Sequence, residues 1–536
     1  MFFENKAWIG TDDKGQKVCM ESRLANRHGL ITGATGTGKT VTLKVMAEAF
    51  SDMGVPVFLA DVKGDLAGMA KPGADSEDMA ARKSRFGLDE AGFELHGYPV
   101  TFWDIFGQKG IPLRTTISEM GPLLLARLME LSDVQADILT VVFKIADDND
   151  LLLIDTKDLK AILNYVSENA KEFEAMYGKM SSQSIAAIVR SVVALESAGG
   201  EAFFGETALN VTDWFSTGEA GRGMIHILDS QSLINSPKLY STFLLWLLSE
   251  LFESLPEVGD MDKPRMVFFF DEAHLLFNGA PKVLVEKVEQ VVKLIRSKGV
   301  GVYFVTQNPR DIPDGVLSQL GNKVEHALRA FTPADQKSVK AAADSFRPNP
   351  EFDTYETILA LGTGEAVVSF LQDNGEPGVV QKVSILPPQS FMGSIDDQTR
   401  DQLVKASMLY PRYYEYKDPD SAYEFLMRMG EEKAAEAARA AADAAAEKEA
   451  QKAQAAAEKE AEKAEKAAIK KAEQEAAKQE RAKKQAVKSV GNTVAGTVGR
   501  ELGKNVGSSF GKFGKTLGGN VGASLGRGVL STLFKL

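Results

Sequence analysis

The sequence predicts an α/β fold in which a doubly wound, mostly parallel sheet carries a phosphate-binding loop. Apolar runs of strand length alternate with helical segments, a pattern typical of parallel sheets that are covered on both faces. One early run leads directly into a glycine-rich loop, and a later run ends in two adjacent carboxylates. These three observations together indicate a nucleotide-binding α/β domain.

The glycine-rich loop GATGTGKT matches the pattern G-x-x-x-x-G-K-[ST] at every fixed position. Its glycines let backbone N–H groups converge on anionic oxygens, and the helix that follows directs its positive end at the same place. We expect Lys39 to reach the β- and γ-phosphates of ATP, and the Thr40 hydroxyl to bind Mg²⁺. The residues expected to bind the nucleotide are Gly33, Ala34, Thr35, Gly36, Thr37, Gly38, Lys39, Thr40 and Val41.

The apolar run VFFF ends in Asp271 and Glu272, and ligands of parallel α/β sheets bind at the carboxyl ends of the strands. We expect Asp271 to hold Mg²⁺ through water, opposite Thr40, and Glu272 to polarise the attacking water. Gln307 follows the next predicted strand, where an amide can sense the γ-phosphate or orient water. The pattern predicts ATP hydrolysis with Lys39, Glu272 and Gln307 as catalytic residues.

Composition and periodicity divide most of the chain into five segments. Residues 1–112 and 222–395 are expected to form the two parts of the nucleotide-binding core, separated by a helical insertion at 113–221. A helical extension at 396–430 leads into an Ala/Glu/Lys-rich helix at 431–486. Because large apolar residues are nearly absent from this helix, an extended charged helix is favoured over a coiled coil.

The last segment, 487–536, combines glycines at four-residue spacing with basic side chains. Small residues at this spacing let helices approach closely, and the positive charge suits an anionic membrane surface, nucleic acid or another protein. A flexible tail is the alternative, because so much glycine opposes helix formation in water. The sequence leaves both interpretations open.

The overall composition restricts the setting of the protein. The chain has 536 residues, a net charge of −12 and a single cysteine, Cys19. A single cysteine excludes an internal disulfide. The net negative charge disfavours a protein that coats nucleic acid, but it does not exclude a motor that grips DNA in a small basic pore. Neither a signal peptide nor an apolar run of transmembrane length is present, so we expect a soluble cytoplasmic protein.

The order and wording of the motifs resemble the HerA-like ATPases of the HerA/FtsK superfamily, with the closest match in the bacterial YjgR subfamily. The resemblance covers roughly residues 20–395 and is carried by NRHGLITGATGTGKT, FLADVKGDLAGMA, FFFDEAHLLF and RSKGVGVYFVTQNPRDIPDGVLSQLGNKVEHALRAFTPADQ. It implies a RecA-like motor domain that assembles into a hexameric ring and moves DNA or another polymer. It also implies an arginine supplied by the neighbouring subunit, for which Arg329 is the first choice and Arg296 the second.

The sequence departs from HerA itself, which carries an N-terminal β-barrel that docks a partner nuclease. About thirty residues precede this phosphate loop, too few for such a barrel, so we do not expect a nuclease partner of that type.

The leading interpretation is an oligomeric ATPase that translocates or unwinds DNA. The alternative is an NTP-driven motor or switch that acts on protein or at a membrane surface.

Overall fold

The computed structural model describes four stretches of the chain: residues 1–233, 236–259, 261–280 and 282–486. The chain divides into two units, Met1–Lys433 and Ala434–Leu536. The glycine-rich segment 487–536, for which the sequence leaves two interpretations open, lies outside the described residues. Within the part of the chain that is described, no helix combines the length and apolar character that a membrane span needs.

One sheet of 13 strands runs through the first unit. Its strands are, in chain order, β1 (Phe2–Phe3), β2 (Lys6–Asp12), β3 (Lys17–Glu21), β4 (Gly29–Thr32), β5 (Val57–Asp61), β6 (Val100–Asp104), β7 (Ile111–Pro112), β8 (Ile225–Asp229), β9 (Met266–Phe270), β10 (Val300–Thr306), β11 (Asn322–His326), β12 (Glu365–Ser369) and β13 (Gln381–Ile385).

The strand order across the sheet is β1-β2-β13-β12-β11-β4-β10-β9-β5-β8-β6-β7, with β3 paired to β2. From β11 to β7 every neighbouring pair is parallel. The remaining strands, β1, β2, β3, β12 and β13, make antiparallel pairs. The mostly parallel sheet predicted from the apolar runs is confirmed.

Helices occupy most of the connections between strands. They are, in chain order, α1 (Lys39–Asp52), α2 (Glu77–Phe86), α3 (Ile117–Leu128), α4 (Asp133–Asp148), α5 (Thr156–Glu168), α6 (Ala170–Tyr177), α7 (Ser182–Leu195), α8 (Glu201–Phe203), α9 (Pro237–Ser254), α10 (His274–Phe277), α11 (Lys282–Ile295), α12 (Asp314–Leu317), α13 (Pro333–Asp344), α14 (Thr354–Ala360), α15 (Asp397–Ala406), α16 (Tyr410–Tyr413) and α17 (Ala422–Ala486).

The connections run in both directions along the sheet. Helix α1 joins β4 to β5 and α2 joins β5 to β6, so these crossovers proceed toward β7. Helices α9, α11 and α12 lie in connections that return toward β11. Because crossovers between parallel strands are right-handed, the two sets of helices cover opposite faces of the sheet. This is the doubly wound arrangement that strand–helix alternation predicts.

The connection between β7 and β8 is a bundle of helices, α3 to α8. Helix α3 packs against α4 and against α9 of the core. Arg127 of α3 donates a hydrogen bond from Nη2 to the Ser241 hydroxyl of α9 at 3.2 Å. The bundle is therefore attached to the sheet through α9.

The strands before the phosphate loop were not predicted from sequence. Strands β1 to β3 extend the sheet, because β2 pairs with β13 near the other end of the first unit, with Gly10 opposite Ile385. A Cβ at Gly10 would lie 2.6 Å from the Ser384 carbonyl oxygen, so glycine permits this close pairing. The residues that precede the phosphate loop therefore complete the sheet.

Helix α15 is attached to the edge of the sheet at which the parallel strands end. Arg400 of α15 donates from Nη1 to Asp229 Oδ2 at 3.1 Å. Both side chains are buried, and Asp229 is the last residue of β8. The ion pair joins α15 to the carboxyl edge of the sheet.

Helix α17 begins at Ala422 and ends at Ala486. Every side chain described from 434 to 479 is exposed. Its Ala, Glu and Lys residues favour helix without requiring burial. The charged helix expected after the core is present.

Candidate active site

The phosphate-loop motif lies between β4, which ends at Thr32, and α1, which begins at Lys39. Gly33 and Gly38 have φ angles of 147° and 118°, in a region where residues with a side chain are strained. A Cβ at Gly33 would lie 2.5 Å from the Cβ of His326. The loop can lie against the end of β11 only because Gly33 has no side chain.

Two backbone hydrogen bonds attach the loop to neighbouring strands. The Ala34 N–H donates to the Ala327 carbonyl, just beyond β11, at 2.8 Å. The Gly364 N–H, just before β12, donates to the Thr37 carbonyl at 3.0 Å. Within the loop, the Thr37 hydroxyl donates to the Ala34 carbonyl at 2.7 Å. These contacts organise the loop around the ends of β11 and β12.

A buried histidine, His326, supports the first turns of α1. Its Nδ1 lies 2.8 Å from the Glu365 carbonyl oxygen, and its Nε2 lies 2.8 Å from the Thr42 hydroxyl. A carbonyl can only accept, so Nδ1 carries the proton and Nε2 accepts from Thr42. Burial, reinforced by the charge of Lys39, lowers the pKa of His326 to about 4. The ring is therefore neutral at physiological pH.

The Lys39 ammonium is buried and turned toward the loop. It donates to the carbonyl oxygens of Gly33 at 2.5 Å and Ala34 at 3.1 Å. Burial lowers the pKa of Lys39, whereas the charges of Glu272 and Asp271 raise it. The ends of β4 and β9 lie at the same edge of the sheet with only β10 between them, so the lysine of the loop and the two carboxylates share one site.

The two carboxylates follow β9, which is separated from β4 by β10. Asp271 Oδ1 accepts the Glu272 N–H at 2.9 Å, and the Tyr240 hydroxyl donates to the Asp271 carbonyl at 2.8 Å. Burial and the charge of Glu272 raise the pKa of Asp271 to about 7. Glu272 has a φ of 48°, a left-handed conformation that clusters at functional sites in residues other than glycine.

Thr40 and Asp271 supply oxygen donors of the kind that Mg²⁺ prefers. Thr40 is half-buried in the first turn of α1, and Asp271 directly follows β9. Among the described residues, no group of three or more His, Cys, Asp or Glu side chains could hold a metal ion. Mg²⁺ commonly binds through one or two carboxylates together with substrate phosphates and water. The residues present therefore fit Mg²⁺ that binds with a nucleotide.

Gln307 lies between the two parts of the site. It follows β10, whose neighbours are β4 on one side and β9 on the other, and Thr306 pairs in register with Thr32. The Gln307 side chain is exposed. The amide thus stands at the carboxyl edge between the loop and the carboxylates, while its role in hydrolysis stays a prediction.

The two candidate arginines lie at opposite edges of the sheet. Arg329 follows β11 at the carboxyl edge, is exposed, and donates to the Leu359 carbonyl at 3.3 Å. Arg296 is also exposed but precedes β10, at the amino edge. The fold thus brings Arg329, and not Arg296, to the edge that carries the phosphate loop of its own chain. A contact with a neighbouring subunit stays a prediction for both.

A second buried carboxyl group lies next to the loop. Glu325 of β11 stands opposite Thr32 of β4, whose hydroxyl donates to Glu325 Oε2. Its Oε1 is buried and has no hydrogen-bond partner among the residues described. Burial raises the pKa of Glu325 to about 8, although the Thr32 hydrogen bond and the charges of Lys39 and Lys323 lower it. Glu325 is therefore mostly protonated at neutral pH.

Neither His326 nor Glu325 was identified from sequence. The available signal was the pair of titratable residues at the end of the strand NKVEH. Polar groups in a strand buried between neighbours need partners, so such a pair indicates a network. That this network faces the phosphate loop becomes clear only when β11 is seen beside β4.

The chain matches a known protein family along most of its length. A family model described as "Helicase HerA-like C-terminal" covers residues 6–516. The chain belongs to this family. The resemblance to HerA-like ATPases inferred from the motifs is confirmed.

Two relatives carry the name DNA double-strand break repair helicase HerA. The protein of Sulfurisphaera tokodaii is 34% identical over 99 residues, which are 18% of this chain and 19% of the relative. The protein of Saccharolobus solfataricus is 23% identical over 362 residues, which are 66% of this chain and 64% of the relative. The chain therefore spans less than two thirds of the length of these relatives.

The fold is also similar to that of a solved structure, plasmid coupling protein TrwB in complex with the non-hydrolysable GTP analogue GDPNP. The TM-score is 0.50 and the sequence identity is 14%, with 74% of this chain and 92% of that chain covered. At this identity the likeness shows a shared fold.

Replacement of Glu325 by glutamine should change how stability depends on pH. The folded protein keeps this proton up to about pH 8, whereas the unfolded chain loses it near its ordinary value of 4.5. Between these values unfolding releases a proton, so this group makes the free energy of unfolding fall as pH rises, by at most about 1.4 kcal/mol per unit. Glu325→Gln removes that term.

The measurement is urea denaturation of wild type, Glu325→Gln and an exposed control, Glu90→Gln, between about pH 5.5 and 8, a range that lies within the linkage window. We expect a shallower decline with pH in Glu325→Gln alone. Parallel profiles for all three proteins would show that Glu325 is ionised in the folded state.

Proposed function

We propose that this chain is an ATP-hydrolysing motor that assembles into a hexameric ring and translocates or unwinds DNA. One observation carries this most directly: Lys39, the Asp271–Glu272 pair and Gln307 stand at the carboxyl ends of β4, β9 and β10. A phosphate-binding lysine, a metal-binding carboxylate, a second carboxylate and a polar sensor are the parts that hydrolysis of a nucleoside triphosphate requires.

The phosphate loop would bind the triphosphate through its amides and through Lys39. The Lys39 ammonium already lies beside the loop carbonyls, so it can exchange them for β- and γ-phosphate oxygens. Thr40 and Asp271 would hold Mg²⁺, and a bound Mg²⁺ would neutralise part of the negative charge on the phosphates. These residues account for nucleotide binding and for its orientation.

Glu272 is placed to orient the attacking water. Its Oε2 is buried, lies 3.3 Å from His274 Nδ1, and accepts no hydrogen bond from a residue in the described part of the chain. A carboxylate with an open acceptor can take a hydrogen bond from water and receive its proton. Gln307, on the intervening strand, would hold the same water or the γ-phosphate.

The relatives support DNA as the polymer, since both HerA proteins are named as DNA double-strand break repair helicases. The net charge of −12 means that DNA has to be gripped at a local basic surface rather than by the whole protein.

In a ring, the exposed Arg329 would reach the γ-phosphate held by a neighbouring subunit. The basic segment 487–536 would provide a further contact to DNA, another protein or an anionic membrane surface.

Lys39 and Glu272 should affect nucleotide binding and hydrolysis differently. Lys39→Ala removes the charge that holds the phosphates, so both binding and turnover should be lost. Glu272→Gln keeps the size but removes the proton acceptor, so ATP should bind normally while turnover falls by about 10²-fold or more. Nucleotide affinity and phosphate release, measured separately, distinguish the two.

An exposed lysine on α6 offers a matched control, because Lys171→Ala removes the same charge in the helical bundle between β7 and β8. We expect it to bind and hydrolyse ATP as wild type does. Normal turnover in Glu272→Gln would remove Glu272 from the mechanism.

Duplex DNA should raise the rate of ATP turnover. A motor couples hydrolysis to movement along its polymer, so the polymer accelerates the cycle. The assay compares wild type and Lys39→Ala with duplex DNA and, separately, with phosphatidylglycerol vesicles. Stimulation by vesicles and none by DNA would favour the alternative of a motor or switch at a membrane surface.

If Arg329 acts on the neighbouring subunit, Arg329→Ala should bind ATP normally but turn it over up to about 10³-fold more slowly. Mixing it with Lys39→Ala should restore part of the activity, because some interfaces then contain both an intact loop and an intact arginine. Absence of rescue in rings that demonstrably mix would contradict a role in trans. The same mixing experiment with Arg296→Ala tests the second choice.

A further inference from the structure

The loop after β5 forms a tight turn around a buried carboxylate. Asp61, the last residue of β5, accepts the Gly64 N–H on Oδ1 at 2.7 Å and the Leu66 N–H on Oδ2 at 3.0 Å. Lys63 lies within this turn, and its side chain is exposed. The backbone that carries Lys63 is thus held in one conformation by its own strand end.

A side chain that follows β8, the neighbour of β5 in the sheet, also binds this turn. Gln231, just beyond β8, donates from Nε2 to the Lys63 carbonyl at 2.9 Å and accepts from Lys109 Nζ on Oε1 at 2.8 Å. Gly64 has a φ of +79°, and a Cβ there would lie 1.9 Å from Gln231 Nε2. Glycine is therefore required for this approach, and Gln231 fixes the direction of the turn.

The turn stands directly beside the two carboxylates of the site. Strand β5 is parallel to β9, with Leu59 opposite Phe269. Asp61 ends β5 two residues after Leu59, and Asp271 follows the last residue of β9, so both lie at the carboxyl edge. Lys63 follows two residues later and projects from that edge.

Lys63 and the Asp271–Glu272 pair lie at the same edge of the sheet as the phosphate loop, because β4, β5 and β9 are parallel. Lys39 is buried at this edge, whereas Lys63 is exposed. A triphosphate held by the loop would bring charged oxygens to this edge, where the Lys63 ammonium can donate a charge-assisted hydrogen bond.

We propose that Lys63 is a second cation for the triphosphate, which contacts the γ-phosphate from the side opposite the phosphate loop, and that Gln231 is its positioning residue. The catalytic part of this inference rests on the proposed ATP hydrolysis. In that step, the water oxygen bonds to the γ-phosphorus, and the bond from this phosphorus to the β,γ-bridging oxygen breaks with its electron pair leaving on ADP. One water proton passes to Glu272, and Lys63 stabilises the charge on the γ-phosphate oxygens.

Nucleotide selectivity tests the contact without requiring hydrolysis. Affinities of Lys63→Met for ADP and for the non-hydrolysable analogue AMPPNP are compared with those of wild type and of Lys171→Met, an exposed lysine on α6. A lost charge-assisted hydrogen bond weakens binding by about tenfold to a hundredfold. We expect this loss for AMPPNP alone, with Lys63→Arg close to wild type. Equal losses for both nucleotides, or no loss, would overturn the inference.

Gln231→Met tests the positioning role without adding a charge beside the phosphates. It keeps a side chain of similar length but removes the donor to the Lys63 carbonyl. We expect AMPPNP affinity to fall more than ADP affinity, by less than in Lys63→Met. An equal change for both nucleotides would contradict positioning by Gln231.

Turnover separates this inference from the proposed function. If wild type hydrolyses ATP, the turnover number of Lys63→Met should be at least about tenfold lower. An unchanged turnover number would overturn the catalytic part. A wild type that binds AMPPNP through Lys63 but never hydrolyses ATP would overturn the motor and leave the γ-phosphate contact standing.

Discussion

The close contact between the phosphate loop and the end of β11 determines the geometry of the candidate site. The loop backbone lies against His326 because Gly33 has no side chain, and the Ala34 amide then reaches the Ala327 carbonyl. His326 in turn accepts a hydrogen bond from Thr42 of α1. Strand, loop and helix thus form one connected unit, and the position of Lys39 follows from it.

The order of the central strands separates the phosphate loop from the two carboxylates by the width of one strand, β10. Neighbouring strands lie about 4.8 Å apart, so the loop after β4 and the carboxylates after β9 stand roughly 10 Å apart, with β10 between them. If these strands were adjacent, Lys39 could pair directly with Asp271. The intervening strand leaves room for phosphate oxygens and water, and it places Gln307 beside them.

The features that could be predicted from the sequence were those recorded in local patterns. The apolar runs around β4 and β9 identify buried strands, and the spacing of the loop glycines identifies an anion site. Strands β1 to β3 escaped prediction because β2 pairs with β13, far away in the chain. The roles of Glu325, His326 and Lys63 were not predicted for a related reason. Each role depends on which strand lies beside the residue, and the order of strands in a sheet cannot be deduced from a local sequence pattern.

A continuous series of polar contacts joins α15 to the phosphate-binding edge. Arg400 binds the Asp229 carboxylate at 3.1 Å, the same carboxylate accepts the Gln231 N–H at 3.2 Å, and the Gln231 amide holds the turn of Lys63. A buried ion pair resists separation, because either charge left alone would be desolvated without a partner. Helix α15, the end of β8 and the turn of Lys63 are therefore joined by polar contacts, so none of the three can shift alone without breaking one of them. The conformation of a loop at the phosphate-binding edge thus depends on a helix that follows the whole sheet in the chain.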